Sequence, residues 1–119
     1  MGNGTVTISS DPISFTSSLK MIFGTLALSN SYVKGGDNFT VGQFGLEFIN
    51  FLALDTASAP NAGNTAYVLA WDQAASNSGQ NTAFTIQAYQ GGAANSAFQE
   101  VANATNLTTF TAEFMAVGW

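Results

Sequence analysis

The sequence predicts an all-β fold: one antiparallel domain built as a β-sandwich, a jelly-roll-like fold or a barrel. Three observations support this prediction. Apolar and polar residues alternate with a period of two in successive segments. Clusters of Gly, Asn and Ser separate these segments, as turns separate short strands. No stretch of ten residues follows the helical period. Because the 119 residues show no internal repeat and no break in composition, residues 1–119 are expected to form a single domain.

The N-terminal half contains four predicted strands. Residues 5–9 alternate polar and apolar, and Ile13 and Phe15 continue that alternation. Residues 20–29 form a longer strand with apolar residues on both faces, which predicts a central position or a place in an interface. Residues 46–54 are rich in bulky apolar side chains and are predicted to form the fourth strand.

A tight turn and a single helical turn are predicted between the third and fourth strands. Lys34-Gly35-Gly36-Asp37 has the chemistry of a turn, because glycine tolerates positive φ. Residues 39–45 are compatible with one helical turn capped by Thr40. The candidate structural turn comprises Tyr32, Gly35, Gly36 and Asp37.

The C-terminal half contains a predicted hairpin and a closing strand. Residues 66–72 and 83–90 are the two hairpin strands, with Phe84, Ile86 and Ala88 facing inward on the second. Residues 98–101 are expected to form a short strand. The closing strand, residues 108–118, places one set of side chains on each face: Phe110, Ala112, Phe114 and Ala116 on one, and Thr111, Glu113, Met115 and Val117 on the other. Loops are predicted at residues 58–65, 76–81 and 91–95.

The composition excludes several classes of function. The sequence contains no His, Arg or Cys, so the commonest acid/base catalyst, the bidentate anion clamp and thiolate metal ligands are all missing. Lys20 and Lys34 are the only cations against seven carboxylates, and the net charge of −5 repels a phosphate backbone. No apolar stretch is long enough to span a bilayer. We therefore expect neither a nucleic-acid partner nor a membrane partner.

Carboxylates are the only remaining groups for catalysis or metal binding. Asp11, Asp37, Asp55 and Asp72 fall at predicted turns or strand ends, where Asp commonly accepts hydrogen bonds from local backbone. No spacing pairs two carboxylates as a glycosidase requires, and the oxygen ligands of a calcium loop are absent. The sequence predicts a protein that is not an enzyme and has no cofactor or metal.

The neutral polar composition favours a protein surface that is covered by other proteins. Only 8% of the residues are charged, against about 25% in average domains. A surface of Asn, Thr, Ser and Gln loses few charge–water contacts when a partner covers it. A second hypothesis is a carbohydrate-binding β-sandwich whose exposed aromatic rings stack on sugars, with the candidates Tyr32, Tyr67, Trp71, Tyr89 and Trp119.

The chain ends are the candidate interface. The strand at residues 5–9 is short and follows Gly and Asn, so it frays unless something docks it. The closing strand is apolar on both faces and is followed by an aromatic residue, a favoured interface anchor. The candidate interface residues are Val6, Ile8, Phe110, Phe114, Met115, Val117 and Trp119. The alternative is a closing strand buried on both sides within the monomer.

Two segments combine turn residues and strand residues in a distinctive order. One is Ser29–Asp37 (Ser-Asn-Ser-Tyr-Val-Lys-Gly-Gly-Asp), followed by Phe39-Thr40 and then Gln43-Phe44-Gly45-Leu46. The other is Glu100–Thr108 (Glu-Val-Ala-Asn-Ala-Thr-Asn-Leu-Thr), which leads into Phe114–Trp119. Together they resemble small virion proteins of tailed bacteriophages. The chain has Val33 where this family often has Pro, and Phe44 where Leu is usual. Residues 55–95 share only a strand–turn–strand pattern.

The resemblance implies a capsid decoration, or cement, protein. Such a protein is made in the host cytoplasm and sits on the capsid exterior of the virion, where it clamps neighbouring major capsid subunits. The expected partners are the major capsid protein and further copies of the chain in a homo-oligomer, a dimer or a trimer. A tail or fibre module of the phage is the alternative within the same class of structural proteins.

Overall fold

The computed structural model describes residues 2–9, 11–14, 19–59, 66–72, 83–90 and 98–119. These residues are almost entirely antiparallel β-sheet, which confirms the predicted fold class. The described part of the chain contains ten strands and one 3-10 helix. They are β1 (Thr5–Ile8), β2 (Ile13–Ser14), β3 (Lys20–Ala27), β4 (Asp37–Thr40), the 3-10 helix (Val41–Phe44), β5 (Ile49–Leu54), β6 (Ala57–Ser58), β7 (Ala66–Asp72), β8 (Ala83–Gln90), β9 (Gln99–Glu100) and β10 (Thr111–Gly118).

One side of the molecule is a sheet centred on β10. β3 runs antiparallel along one edge of β10, with Gly24 opposite Phe114. β5 and then β6 run along the other edge, with Leu54 opposite the same Phe114. The outer edge of β3 pairs with β1 and, further along, with β2. β10 is therefore a central strand, paired along both of its edges.

The other side is a smaller sheet centred on β8. The predicted hairpin is confirmed, since β7 and β8 pair antiparallel with Leu69 opposite Ala88 and Trp71 opposite Ile86. β4 occupies the opposite edge of β8, and β9 extends that edge through Tyr89 and Gln90. Phe84, Ile86 and Ala88 face inward and are buried, as the alternation predicts.

Hydrogen bonds join the two sheets at both corners. At one corner β6 pairs with β7, with Ala57 opposite Tyr67. At the other, the Gly4 N–H donates to the Asn38 carbonyl and the Asn38 N–H donates to the Gly2 carbonyl. A Cβ at Gly4 would lie 1.9 Å from the Phe39 ring, so this close approach requires glycine. The strands thus form a closed circuit, a barrel-like sandwich in which the N-terminal residues complete the ring.

Aromatic rings fill the core between the sheets. Phe44, fully buried, is at its centre, with ring centroids 4.9 Å from Phe114, 5.9 Å from Phe84 and 6.3 Å from Phe39. The 3-10 helix carries this ring inward and ends at Gly45, which has φ +75°. The Thr40 N–H donates to the Gln43 side chain, so Thr40 is the cap as predicted, while the helical turn spans Val41–Phe44 rather than residues 39–45.

The structure differs from the predicted elements in several places. β6 was not predicted, and residues 28–29 and 108–110 of the predicted strands lie outside β3 and β10. Residues 37–40 form β4, which was not predicted, because Phe39 is the only apolar residue among the four and shows no alternation. Residues 46–48 lie outside β5: the Leu46 N–H donates to the Val41 carbonyl at the end of the helical turn, and the Glu47 and Phe48 amides donate to the Trp119 carbonyl. Phe15 and the loops predicted at residues 76–81 and 91–95 lie outside the described residues, as do residues 60–65 of the loop predicted at 58–65.

Candidate protein-binding face

The outward side of β2, β3, β10 and β5 is a continuous apolar surface. Two cross-strand rows build it: Ile13, Met21, Val117 and Phe51 in one, and Phe23, Met115 and Ala53 in the other. We name these seven residues the outer apolar face. Phe51 is 52% exposed, Ile13 49% and Phe23 36%, and the other four side chains are half-buried.

This face follows directly from strands that are apolar on both sides. The inward residues of β3 and β10, such as Ile22 and Ala116, already fill the core. Among the described residues, the outward side chains of these strands therefore have no place in this core. Burying an aromatic or aliphatic side chain of this size releases about 1.5–3 kcal/mol, and contiguous apolar patches on soluble monomers are often binding sites. The outer apolar face is consequently the candidate binding surface.

Two carboxylates border the face at one end. Asp55 and Glu113 are exposed neighbours on adjacent strands, since the Asp55 N–H donates to the Glu113 carbonyl at 3.0 Å. Together with Ala53, Leu54, Phe114 and Met115, they line a depression of about 390 Å³. Ala53 and Met115 belong to the outer apolar face, so the apolar surface runs into an acidic end.

The structure divides the candidate interface residues between the core and the surface. Met115 and Val117 lie on the outer apolar face. Phe114 does not lie at a surface: it is 4% exposed and its ring packs edge-on against Phe44. It belongs to the alternate residues of β10 that face the core. Its assignment to an interface is corrected to the core. Val6 and Phe110 are partly buried against that core.

The two remaining candidates lie at the ends of the barrel. Ile8 belongs to the inward-facing set of side chains on β1, but it is 43% exposed and lies near Gly45 at the end of the 3-10 helix. Trp119 docks on its own chain: its ring stacks on Phe48 with centroids 4.6 Å apart, and its backbone is hydrogen-bonded to that of Phe48 in both directions. The outer surface of this stack remains open, since Trp119 is 42% exposed.

Sequence reasoning missed most of the outer apolar face. Ile13, Met21, Phe23, Phe51 and Ala53 were not among the candidates, although the apolar pattern on both faces of residues 20–29 was the signal for Met21 and Phe23. Phe51 and Ala53 join the face only because β5 pairs with β10. That pairing joins residues about 60 positions apart, and no local pattern predicts it.

The candidate structural turn is held by a buried carboxylate. Asp37 is fully buried, and it accepts hydrogen bonds from the Ser29 N–H at 2.7 Å and the Val33 N–H at 3.2 Å. Both turn glycines have positive φ, +97° at Gly35 and +109° at Gly36, as a Gly-Gly turn requires. The role of this carboxylate is therefore to fold the chain from β3 into β4.

Tyr32 connects this turn to β8 and β9. Its hydroxyl donates to the Glu100 carboxylate at 2.6 Å and accepts from the Ala88 N–H at 3.0 Å. The Gly35 N–H donates to the same Glu100 oxygen at 2.6 Å. Burial, and next the hydrogen bond to Glu100, raise the pKa of Tyr32 well above its usual value, so the phenol stays protonated at neutral pH.

The two segments that carry the phage resemblance pack against each other. Besides the contact between Tyr32 and Glu100, the Lys34 N–H donates to the Asn103 side chain at 2.7 Å. The Tyr32 N–H donates to the Thr105 carbonyl, and the Ala104 N–H donates to the Tyr32 carbonyl. The Leu107 N–H donates to the Ser29 carbonyl. We name this assembly of residues 29–37 and 100–107 the turn brace. Its contacts are structural, and they give each of the two segments a physical reason for its turn chemistry.

Two searches of the described residues, one for clusters of metal-ligand side chains and one for membrane-spanning helices, find neither. No group of three or more His, Cys, Asp or Glu side chains comes together within the described ranges. None of their helices has the length and apolar character to cross a bilayer. Of the aromatic candidates of the carbohydrate hypothesis, Tyr32 is buried, Tyr67 and Trp71 are partly buried against the core, and Trp119 is 42% exposed.

The arrangement of these residues suits binding of another surface through the outer apolar face, on a sheet whose inner side packs into the core. Comparisons of the chain with protein families, with curated proteins and with solved structures find no match.

Proposed function

We propose that this protein is a structural accessory of a phage virion, a decoration protein that binds the outside of the capsid and clamps neighbouring major capsid subunits. The outer apolar face is the observation that carries the proposal. It presents three exposed large side chains, Ile13, Phe23 and Phe51, on a sheet whose other side is packed into the core. A rigid apolar sheet face of this kind suits association with another protein surface.

The composition and the turn brace support the same function. A surface with few charges can be covered at little desolvation cost, which suits a protein held between capsid subunits. The turn brace joins parts of the two segments that resemble phage virion proteins through direct hydrogen bonds. The protein would stabilise the shell by mass action, because a clamp that binds only assembled subunits adds its binding free energy to the assembly.

The proposal is tested by co-sedimentation with the assembled shell of the major capsid protein encoded by the same phage. The double variant Phe51→Thr and Val117→Thr makes the outer apolar face polar and keeps strand propensity. We expect its affinity for the shell to fall by tenfold or more. The control, Phe98→Thr and Val68→Thr, changes the same residue types at exposed positions off this face, and it should bind like the wild type.

Three results would contradict the proposal or one of its parts. A wild-type protein that fails to sediment with shells contradicts capsid binding, and gold-labelling of the phage tail would assign it to the tail or fibre instead. Specific retention on a glycan array, lost on substitution of exposed aromatic residues, would favour the carbohydrate-binding alternative. Sedimentation velocity of the free protein tests the expected dimer or trimer, and a monomer at all concentrations contradicts it.

A further inference from the structure

We infer that the outer apolar face takes a foreign protein surface that presents a Lys or Arg side chain next to apolar side chains, and that the cation enters the depression between Asp55 and Glu113. This inference rests on the proposed function, because it names the chemistry of the partner at the same face. It assigns the acidic end of the face to the cation and the apolar rows to the side chains around it.

The first step is the position of the two carboxylates. Asp55 directly follows β5 and continues its alternation beside Glu113 on β10. Both residues therefore lie on the outward side with Ala53 and Met115, so a partner that covers the apolar rows also covers the depression. A carboxylate that loses water without gaining a positive partner costs free energy, which weakens binding. A partner that fits the whole face therefore supplies a cation at this end.

The second step excludes a second copy as the best occupant. The chain has two cations in all, Lys20 and Lys34, against seven carboxylates. Lys34 lies in the turn brace and Lys20 at the far end of β3, next to Ser14 and Gly118. Neither belongs to the outer apolar face, so a second copy stacked through this face supplies no cation from the face itself to Asp55 and Glu113. The charge of −5 on each copy also makes two copies repel each other.

The third step is the shape of the depression. Its lining combines the two carboxylates with the outward-facing apolar side chains of Ala53 and Met115. Such a lining fits a Lys or Arg side chain, whose aliphatic stem packs on apolar surface while its charged end reaches the carboxylates. The same end of the face thus accommodates both parts of one basic side chain.

The charge test uses the double variant Asp55→Asn and Glu113→Gln, which keeps the shapes and the acceptor of the Asp55 side chain for the Thr56 N–H. Against capsid shells at low ionic strength, we expect a loss of affinity of about tenfold and a weaker dependence of affinity on salt. The control, Asp11→Asn and Glu47→Gln, removes two charges at exposed positions outside the depression and should change neither. Unchanged or tighter binding by the first variant would overturn the inference.

A second probe works without capsids. A random peptide library is selected on the wild-type protein, with counter-selection on the Phe51→Thr and Val117→Thr variant. Enrichment of Lys or Arg beside apolar residues supports the inference even if shells do not bind, in which case only the capsid function fails. Enrichment of neutral or acidic peptides overturns it. So does self-association that the Phe51→Thr and Val117→Thr variant abolishes, because a second copy is then the occupant.

Discussion

Gly36 occupies the most demanding backbone position of the turn brace. Its φ is +109°, and a Cβ there would lie 2.8 Å from the Thr85 Cβ and 2.9 Å from the Ile86 carbonyl. Gly35 has a similar φ of +97°, but a Cβ at that position would meet nothing within 4 Å. The two glycines therefore separate the cost of backbone strain from the cost of a steric clash.

We expect Gly35→Ala to lower the free energy of unfolding by about 1–2 kcal/mol, from the positive φ alone. Gly36→Ala should lower the free energy of unfolding by about 3 kcal/mol or more, because the backbone of β8 must also move to relieve the clash. Urea denaturation of both variants measures the difference. Equal losses in the two variants would show that the contact with β8 contributes nothing.

The Tyr32 hydroxyl is the second residue-scale determinant. Tyr32→Phe removes a donor to Glu100 and the acceptor of the Ala88 N–H, and it should cost about 1–3 kcal/mol at pH 7. The pKa of Tyr32 is raised in the folded state, so the contribution of its phenol is fully present below the unfolded pKa of about 10 and is lost as pH rises above it.

Unfolding measurements from pH 8 to pH 11 test the pH dependence. The stability difference between wild type and Tyr32→Phe should narrow above about pH 10, because only the wild type has a phenol at this position to ionise on unfolding. A difference that stays constant over this range would contradict the protonated, hydrogen-bonded phenol.

Residue-scale features were predictable where the chemistry is local. The Gly-Gly-Asp turn was predicted because three adjacent residues carry its signal. The bond between Tyr32 and Glu100 was not, since it joins positions 68 apart in sequence and depends on how β9 lies beside β8. The core position of Phe114 was likewise decided by which face of β10 the second sheet covers.

Among the strands, β10 is the one whose end is best defined by contacts. Deleting Gly118 and Trp119 removes the stack on Phe48 and three backbone hydrogen bonds, from the amides of Glu47, Phe48 and Trp119. We expect this deletion to lower the free energy of unfolding, measured by chemical denaturation, by about 2–4 kcal/mol. Trp119→Ala keeps the backbone bonds and loses the stack, so it should cost only about 1 kcal/mol. An intact melting temperature in the deletion variant would contradict this assignment.

Element length decided how well the strands were predicted. β3, β7, β8 and β10 have seven or eight residues each, enough for several periods of alternation. β6 and β9 have two residues each, and the local sequence carries no comparable signal for such short pairings. The outer apolar face was only partly predictable for a related reason: each strand shows its own two faces, but only pairing shows which outward faces become neighbours.

At the scale of the whole molecule, closure of the barrel depends on residues from both ends of the chain. The backbones of Gly2 and Gly4 are hydrogen-bonded to β4, and the backbone of Trp119 is hydrogen-bonded to the segment before β5. The sequence predicted the fold class, because alternation and turns are repeated along the chain. It left sandwich and barrel open, since the corner hydrogen bonds that join the two sheets involve only a few residues.

The low charge of the molecule leads to a prediction that separates folding from binding. Stability comes from a core of apolar side chains and from hydrogen bonds in which the Asp37 and Glu100 carboxylates accept from backbone or phenol donors. Salt screens interactions between exposed charges, and surface pairs contribute about 1 kcal/mol at most. We therefore expect the free energy of unfolding to change by less than about 1 kcal/mol between low salt and about 0.5 M NaCl.

Partner binding should respond differently over the same salt range. If Asp55 and Glu113 receive a partner's cation, affinity falls with rising salt while the free energy of unfolding stays nearly constant. Parallel titrations by urea denaturation and by capsid co-sedimentation measure the two quantities. A fold that weakens strongly with salt would show that exposed charges hold the barrel together. If the affinity depends on salt as little as the free energy of unfolding does, then no cation of the partner binds Asp55 and Glu113. The apolar rows would then be the only contacts of the interface.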